Sequence, residues 1–276
     1  MNAQDTSMKG YGVLVTGGGS GIGLGVARRL AAAGAVVTIC GRTEDRLKAA
    51  VAEIGDGAGY AVADVADEEA VAAAVRLAQE RAGRLDGVVA CAGGSSWLGP
   101  VTRMPADHWH SVIETNLTGT MHTLKHAAAI MARQGSGSFV GISSIAGDIT
   151  HRWFGPYGVA KAGIDHLCRL AADELGASNV RVNCIRPGLI RTEAVAMVTE
   201  EDNPVRRDYA ECTPLPRRGE VEDVANLAAF LIGPESTWIT GQVINVDGGQ
   251  SLRRGPDMSP WLEPAYGADG LRGAAM

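Results

Sequence analysis

Tyr157 stands four residues ahead of Lys161 in the run Tyr157-Gly158-Val159-Ala160-Lys161, whose pattern is helical. Side chains at that spacing project from one face of a helix. A phenol, with a pKa of about 10, is a weak acid–base catalyst near neutrality. A neighbouring ammonium favours the phenolate and lowers that pKa, each unit being worth about 1.4 kcal/mol. A tyrosine tuned in this way can pass a proton to or from a carbonyl or alcohol oxygen. The same spacing also arises as an inert exposed pair, so the rest of the chain has to support the chemistry.

A second chemical signal lies near the start. Thr16-Gly17-Gly18-Gly19-Ser20-Gly21-Ile22-Gly23 follows a strand-like run and opens a helical one. Glycines let the backbone turn sharply and approach a pyrophosphate, whose charge rests at a helix N-terminus. By spacing, Gly17, Gly21 and Gly23 matter most. The run has neither GxGxxG spacing nor the Lys-Ser/Thr of a Walker loop. Its bland reading is a flexible glycine-rich hairpin, which the strand–turn–helix context disfavours.

Composition narrows the frame. A chain of 276 residues, 46% hydrophobic, suits one large α/β domain with a full core. A net charge of -6 without a Lys/Arg block offers no footprint for nucleic acid or an anionic membrane. No apolar stretch has the length to span a bilayer, and the run Tyr11 to Val15 is too short for the core of a signal peptide. Cys40, Cys91, Cys168, Cys184 and Cys212 are dispersed without a CxxC pair, the usage of reduced thiols in a cytoplasmic protein.

The elements that must position these residues alternate between strand and helix. Strands are expected at Gly12–Val15, Val36–Cys40, Tyr60–Ala63, Gly87–Ala92, Ser138–Ile142, Val180–Ile185 and Gln242–Val246. Helices are expected from Ile22 to Ala33 and from Thr43, as cap, to Ile54. Another follows an Asp67 cap, and one long helix runs from Pro105 to Arg133. Pro156 opens the Tyr157 helix, which ends near Leu175, and a last helix spans Val221 to Ile232. Ile190 to Pro216 reads as a mobile loop or lid. Alternation of this kind predicts a three-layer α/β/α Rossmann fold, a single domain around a parallel sheet of about seven strands. Residues 1–9 read as a flexible N-terminus, 10–250 as the domain, and 251–276 as a patternless tail that could cover a neighbouring subunit.

The TGxxxGxG turn together with YxxxK resembles the signature pair of the short-chain dehydrogenase/reductases, and the resemblance spans residues 10–250. It is similar to their 3-oxoacyl-reductase-like members. Further landmarks agree in order: Asp64-Val65 after the third strand, Asn116 in mid-helix, Ser144 thirteen residues before Tyr157, Pro187-Gly188-Leu189-Ile190-Arg191-Thr192, and Val246-Asp247-Gly248-Gly249. One motif departs. Ala90-Cys91-Ala92-Gly93 stands where the family usually has NNAG, keeping the Ala-Gly and losing the Asn pair.

The resemblance implies an NAD(P)-dependent oxidoreductase that interconverts a ketone and a secondary alcohol. Tyr157 would be its acid or base. Lys161 would tune Tyr157 and bond the nicotinamide ribose, Ser144 would donate to the substrate oxygen, and Asn116 would hold a water relay. The cofactor would lie along Gly17, Ser20, Gly21, Ile22, Gly23, Arg42, Asp64, Val65, Ala92, Gly93, Tyr157, Lys161, Pro187, Gly188, Ile190 and Thr192. Relatives suggest a homotetramer or dimer paired through 105–133 and 155–175. The competing readings are a catalytically silent nucleotide-sensing or scaffold protein on the same fold, and an enoyl reductase.

Cofactor choice turns on Cys40-Gly41-Arg42-Thr43. An acid at the end of the second strand would accept from a ribose 2′-hydroxyl and repel a 2′-phosphate. Gly41 takes that place and Arg42 offers a cation, which favours NADP(H) and leaves NAD(H) as the alternative. Trp97, Trp153 and Phe154, with His151, are placed to line an apolar substrate pocket. His122 and His126, four apart on a helix, lack an evident third ligand and read as surface or interface groups, so no metal site is expected.

Overall fold

Gly12–Thr16 (β1) is buried at every position, the near-continuous apolar run that a strand covered on both faces requires. In the computed structural model, which describes residues 7–95, 97–196 and 204–274, β1 lies inside one parallel sheet. The other strands are Val36–Gly41 (β2), Gly59–Val62 (β3), Gly87–Ala90 (β4), Gly137–Ile142 (β5), Val180–Pro187 (β6) and Val243–Val246 (β7). Their order is β3-β2-β1-β4-β5-β6-β7, with every pair parallel.

Alternate side chains of β1 serve opposite faces. Leu14 joins a core with Val75 of Glu68–Ala82 (α3), Met131 of Gly119–Gln134 (α5) and Ile164 of Pro156–Leu175 (α6). Val13 and Val15 join the other core, with Leu30 of Gly21–Ala32 (α1), Leu47 of Glu44–Ile54 (α2) and Leu231 of Val221–Ile232. The molecule is thus a single three-layer α/β/α domain, as the alternating pattern predicts.

Several local expectations hold in detail. Asp67 caps α3 by accepting from the N–H groups of Glu69 and Ala70 at 3.0 and 3.1 Å. Pro156 opens α6, where its missing N–H costs nothing. Thr43 precedes α2 but makes no side-chain cap bond. Strand β4 stops at Ala90 rather than Ala92, and β6 runs on to Pro187 rather than ending at Ile185.

Two differences bear on function. The long helix expected from Pro105 to Arg133 is broken into Ala106–Ile113 (α4) and α5 by a π-turn at Glu114–Thr118. Asn116 causes the break: its side-chain N–H donates to the Val112 carbonyl at 2.9 Å, competing with the helical ladder. The tail is also ordered into structure. Pro204–Cys212 (α7) precedes Val221–Ile232 (α8), and Ser259–Leu271 (α9) packs over α7. Asp208 of α7 binds Arg254 at 2.5 and 2.8 Å and accepts from the Asp257 N–H. At the other end, Met8 is buried and donates its N–H to the Ala33 carbonyl. Residues 1–6 of the expected loose N-terminus and 197–203 of the expected lid lie outside the described residues.

Candidate active site

The sheet order reverses beside β1, whose neighbours β2 and β4 lead away in opposite directions. In open α/β sheets a ligand crevice forms at the carboxyl ends of the strands at such a point. Here it is a cleft of 1080 Å³, and every dinucleotide position read from the sequence lines it.

The phosphate turn is made by backbone proximity. Gly17 has φ +66°, and a Cβ there would stand 2.9 Å from the Ala92 backbone. A Cβ on Gly23 would stand 2.3 Å from the Gly17 carbonyl. Both separations are below any real Cβ contact, so α1 can begin directly under the turn only with glycine at these places. Ser20 makes no side-chain cap and the first turn of α1 holds no acid, which leaves its N–H groups for a diphosphate. Thr16 steadies the floor by accepting from the Ala92 N–H at 3.2 Å.

At the β2–β3 end of the cleft, Asp64 lines the groove and accepts from the Ala66 N–H at 3.0 Å. Arg42 is exposed and lines the cleft. Its neighbour Glu44 is engaged elsewhere, with the Tyr60 hydroxyl at 3.0 Å and Lys48 at 3.2 Å, and these two hold its carboxyl below the usual range. Arg46 also lines the cleft and faces Glu193 across 3.9 Å, a cation missed in the sequence for want of a motif.

The catalytic candidates converge at the ends of β4 and β5. Lys161 is 4% exposed, and its ammonium donates to the Ile142 carbonyl at 2.9 Å. The same ammonium lies 5.4 Å from the centre of the Tyr157 ring. Ser144, half-buried, accepts from the Ala146 N–H at 3.1 Å, which leaves its own O–H to donate. Asn116 is fully buried and pairs both ways with Gly94, accepting from its N–H at 3.1 Å and donating to its carbonyl at 2.8 Å. A Cβ on Gly93 would lie 2.5 Å from Asn116 Oδ1 and 3.3 Å from Lys161 Nζ, so the two side chains meet at one point of the cleft.

An ion network, buried at Arg186 and Asp165 and exposed at Asp148, joins the two elements that carry Ser144 and Tyr157. Arg186 of β6 binds Asp165 of α6 at 2.8 Å and Asp148, just past Ser144, at 2.9 Å. Burial pushes the Cys91 thiol up to about 12, although the Lys161 charge pulls it down, and burial likewise takes Cys40 up to about 12. These thiols are therefore inert near neutrality, and all five cysteines are free.

The substrate end is assembled from distant segments. Trp97, His151 and Phe154 line the cleft with Tyr209, Gln250, Met258 and Trp261. Tyr209, Gln250 and Met258 gave no sign in the sequence, and the helix that follows Met258 carries Pro260, Pro264 and Gly267, which hide its periodicity. Trp153 does not line the cleft. It sits at φ 68° in the left-handed region, held in the α7–α9 apolar cluster with the Arg152 guanidinium 4.2 Å from its ring. His122 and His126 both reach Glu68, at 3.8 and 3.0 Å, and Lys125 shares that carboxylate at 2.7 Å. Among the described residues no group of three or more His, Cys, Asp or Glu is placed to hold a metal, and no helix is long and apolar enough to cross a membrane.

Known proteins place this geometry in context. The family model described as enoyl-(acyl carrier protein) reductase matches residues 17–251. The 3-oxoacyl-[acyl-carrier-protein] reductase FabG of Chlamydia muridarum is 36% identical over 242 residues, covering 86% of this chain and 96% of that protein. A short-chain type dehydrogenase/reductase from Mycobacterium ulcerans superposes with a TM-score of 0.95 at 57% identity, covering 98% of this chain and 100% of that one. A gluconate 5-dehydrogenase from Burkholderia cenocepacia J2315, solved with NADP and tartrate, has a TM-score of 0.84 at 29% identity over 90% of this chain and 98% of that one.

Proposed function

The chain belongs to the short-chain dehydrogenase/reductase family, and from that premise we propose how its own residues divide the work. It is an NAD(P)-dependent oxidoreductase that interconverts a ketone and a secondary alcohol. A bound nicotinamide supplies the hydride. Tyr157 gives the proton to the oxygen of the reduced carbonyl, or takes it in the reverse direction. Lys161, whose ammonium lies beside the Tyr157 ring, bonds the nicotinamide ribose. Ser144 donates its hydroxyl hydrogen to the substrate oxygen as negative charge gathers there. Asn116 clamps the Gly93-Gly94 backbone beside Lys161 and shapes the route by which that lysine exchanges protons with solvent.

The observation that carries this reading is the state of Lys161. An ammonium 4% exposed, with a carbonyl but no carboxylate as partner among the described residues, is costly unless it has a task. The Tyr157 ring at 5.4 Å supplies that task. An inert nucleotide-holding scaffold would not need such a charge, and an enoyl reductase would not need Ser144 in register with Tyr157.

NADP(H) is the cofactor we assign, with NAD(H) as the alternative. Support comes from Gly41 in place of an acid and from Arg42 and Arg46 at the same end of the cleft. The free cysteines support a cytoplasmic setting, and the acidic surface speaks against nucleic-acid partners. Exposed Trp109, Val159 and Leu170 on α4 and α6, with Phe230 and Trp238 on and after α8, provide two apolar faces, which suits a homotetramer better than a dimer. We read 10–250 as the oxidoreductase domain, and the tail that follows as contributing Met258 and Trp261 to the wall of its substrate pocket.

A panel of ketones and enones followed by dinucleotide absorbance tests the reading. Carbonyl reduction with NADPH is expected, with kcat/KM for NADPH falling about tenfold in Arg42→Ala. Gly41→Asp is sterically admissible, since its Cβ would meet only Leu47 at 3.5 Å, and should shift preference to NADH. Reduction confined to the carbon–carbon double bond would replace the reaction, and a wild-type preference for NADH would replace the cofactor.

A further inference from the structure

Gln250 is fully buried, yet neither its amide nitrogen nor its amide oxygen has a hydrogen-bond partner. Buried amides are paired almost without exception, so an orphan at the wall of a cleft marks a place that something outside the chain completes. Its backbone opens a short turn after β7, Gln250–Leu252, and its N–H donates to the Asp247 carbonyl at 3.1 Å.

A second unfilled position lies on the loop before Tyr157. His151 Nδ1 is 3.1 Å from the Ile149 carbonyl. A carbonyl only accepts, so that bond puts the proton on Nδ1 and leaves Nε2 of the neutral ring as a bare acceptor. Burial keeps the ring neutral by lowering its pKa from the ordinary histidine value. No described group bonds Nε2, and the ring lines the cleft. Phe154, Met258 and Trp261 supply apolar wall at the same end. The charges of the cleft lie elsewhere: Arg42 and Asp64 at the β2–β3 end, Arg46 paired to Glu193, and Lys161 at the catalytic tyrosine.

We infer that Gln250 and His151 form a second polar subsite, and that the enzyme takes an uncharged, largely apolar ketone or alcohol with a neutral hydrogen-bonding group remote from the reacting carbon. Such a group, a hydroxyl above all, donates to Nε2 or to the Gln250 oxygen and accepts from the Gln250 amide. A carboxylate or phosphate in the same place would meet no cation among the described residues and would face the bare Nε2 lone pair. This inference rests on Tyr157 marking the reaction centre of the same cleft.

The test uses three methyl ketones on one flexible chain: octan-2-one, 8-hydroxyoctan-2-one and 7-oxooctanoate. Their affinities for the enzyme saturated with oxidised dinucleotide are measured by calorimetry. The hydroxy ketone is expected to bind at least about tenfold tighter than the other two, the size of one well-made hydrogen bond in a buried site. In Gln250→Leu that ratio should fall to about one, and in His151→Phe it should fall in part. The melting temperature of Gln250→Leu should hold or rise, because leucine fills the space without an unpaired amide. Equal binding of the three ketones, tighter binding of the carboxylate, no binding at all, or an unchanged ratio in Gln250→Leu would overturn the subsite. So would a Gln250→Leu protein that melts several degrees lower, since the amide would then be a structural group. Dinucleotide oxidation by wild-type enzyme with any of the ketones is read separately: a binding preference without turnover would reject the reaction centre and keep the subsite.

Discussion

At the dinucleotide end the cleft is shaped by backbone; at the substrate end it is shaped by side chains. Gly17 comes within van der Waals distance of the Ala92 backbone, Gly23 lies under the Gly17 carbonyl, and α1 offers bare N–H groups. Across the catalytic centre, His151, Phe154, Tyr209, Gln250, Met258 and Trp261 arrive from four separate segments to enclose the remaining space. Burial, and then nearby Tyr157, push the Tyr209 phenol up, so it faces the cleft as a neutral wall. The contrast teaches which changes each end tolerates. The first should resist an added Cβ where the backbone closes on itself, at Gly17 and Gly23, whereas the second should accept repacking and answer with altered specificity.

The sharpest break of that contrast is a side chain in the phosphate turn. Gly17→Val adds atoms 2.9 Å from backbone at a positive φ. NADP⁺ affinity should fall about a thousandfold, or about 4 kcal/mol, in calorimetric titration. Asn116→Ala comes next, at the junction of the two ends. It leaves the Gly94 N–H and carbonyl and the Val112 carbonyl without their partner, a loss of about 2 kcal/mol. Calorimetric melting should show a fall of about 5 °C in Tm, with a drop in kcat that Asn116→Asp does not restore, because a carboxylate cannot donate to Gly94 or Val112.

Smaller effects belong to the substrate end. Asp208→Asn unfastens α7 from the tail by removing the paired charge of Arg254. A pair this exposed on one side is worth about 1 kcal/mol, so KM should rise severalfold while kcat and dinucleotide affinity stay near wild type. Acid should imitate this variant. Arg254 and the Asp257 N–H hold the Asp208 carboxyl below its ordinary value of 3.8. A depressed carboxylate adds stability that is present above that value and lost as pH falls through the lower one. Protection of α7 and α9 amides relative to their intrinsic exchange rates should thus be steady from pH 8 to about 5 and fall in both helices together below about 4. A fall already at neutral pH would mean that the clasp is not what holds the tail.

The same contrast explains what could be seen in the chain alone. The sheet, the phosphate turn, Tyr157 and Lys161 were legible because each depends on local spacing: alternation for strands, a strand–glycine–helix junction, and a four-residue step on one helix face, whereas Asp64 and Ser144 followed only from the resemblance to the family. The break in the Pro105–Arg133 helix was hidden, since a π-turn is set by one side chain competing for the Val112 carbonyl and leaves no periodic trace. Helix α9 was hidden for another reason. Pro264 sits inside it and Gly267 interrupts it at φ 65°, so the segment is helical through packing on Val205 and Tyr209 rather than through propensity. Gln250 had no signal at all, for its meaning lies in the partners it lacks.

Tyr157→Phe provides the most direct measurement. It removes one oxygen from a half-buried ring that keeps its contacts with Phe154 and the Lys161 ammonium. Single-turnover reduction of a ketone by a prebound dinucleotide should slow by about a thousandfold, while dinucleotide affinity and Tm remain near wild type. A rate within a few-fold of wild type, with dinucleotide still bound, would contradict the assignment of that hydroxyl as the proton donor.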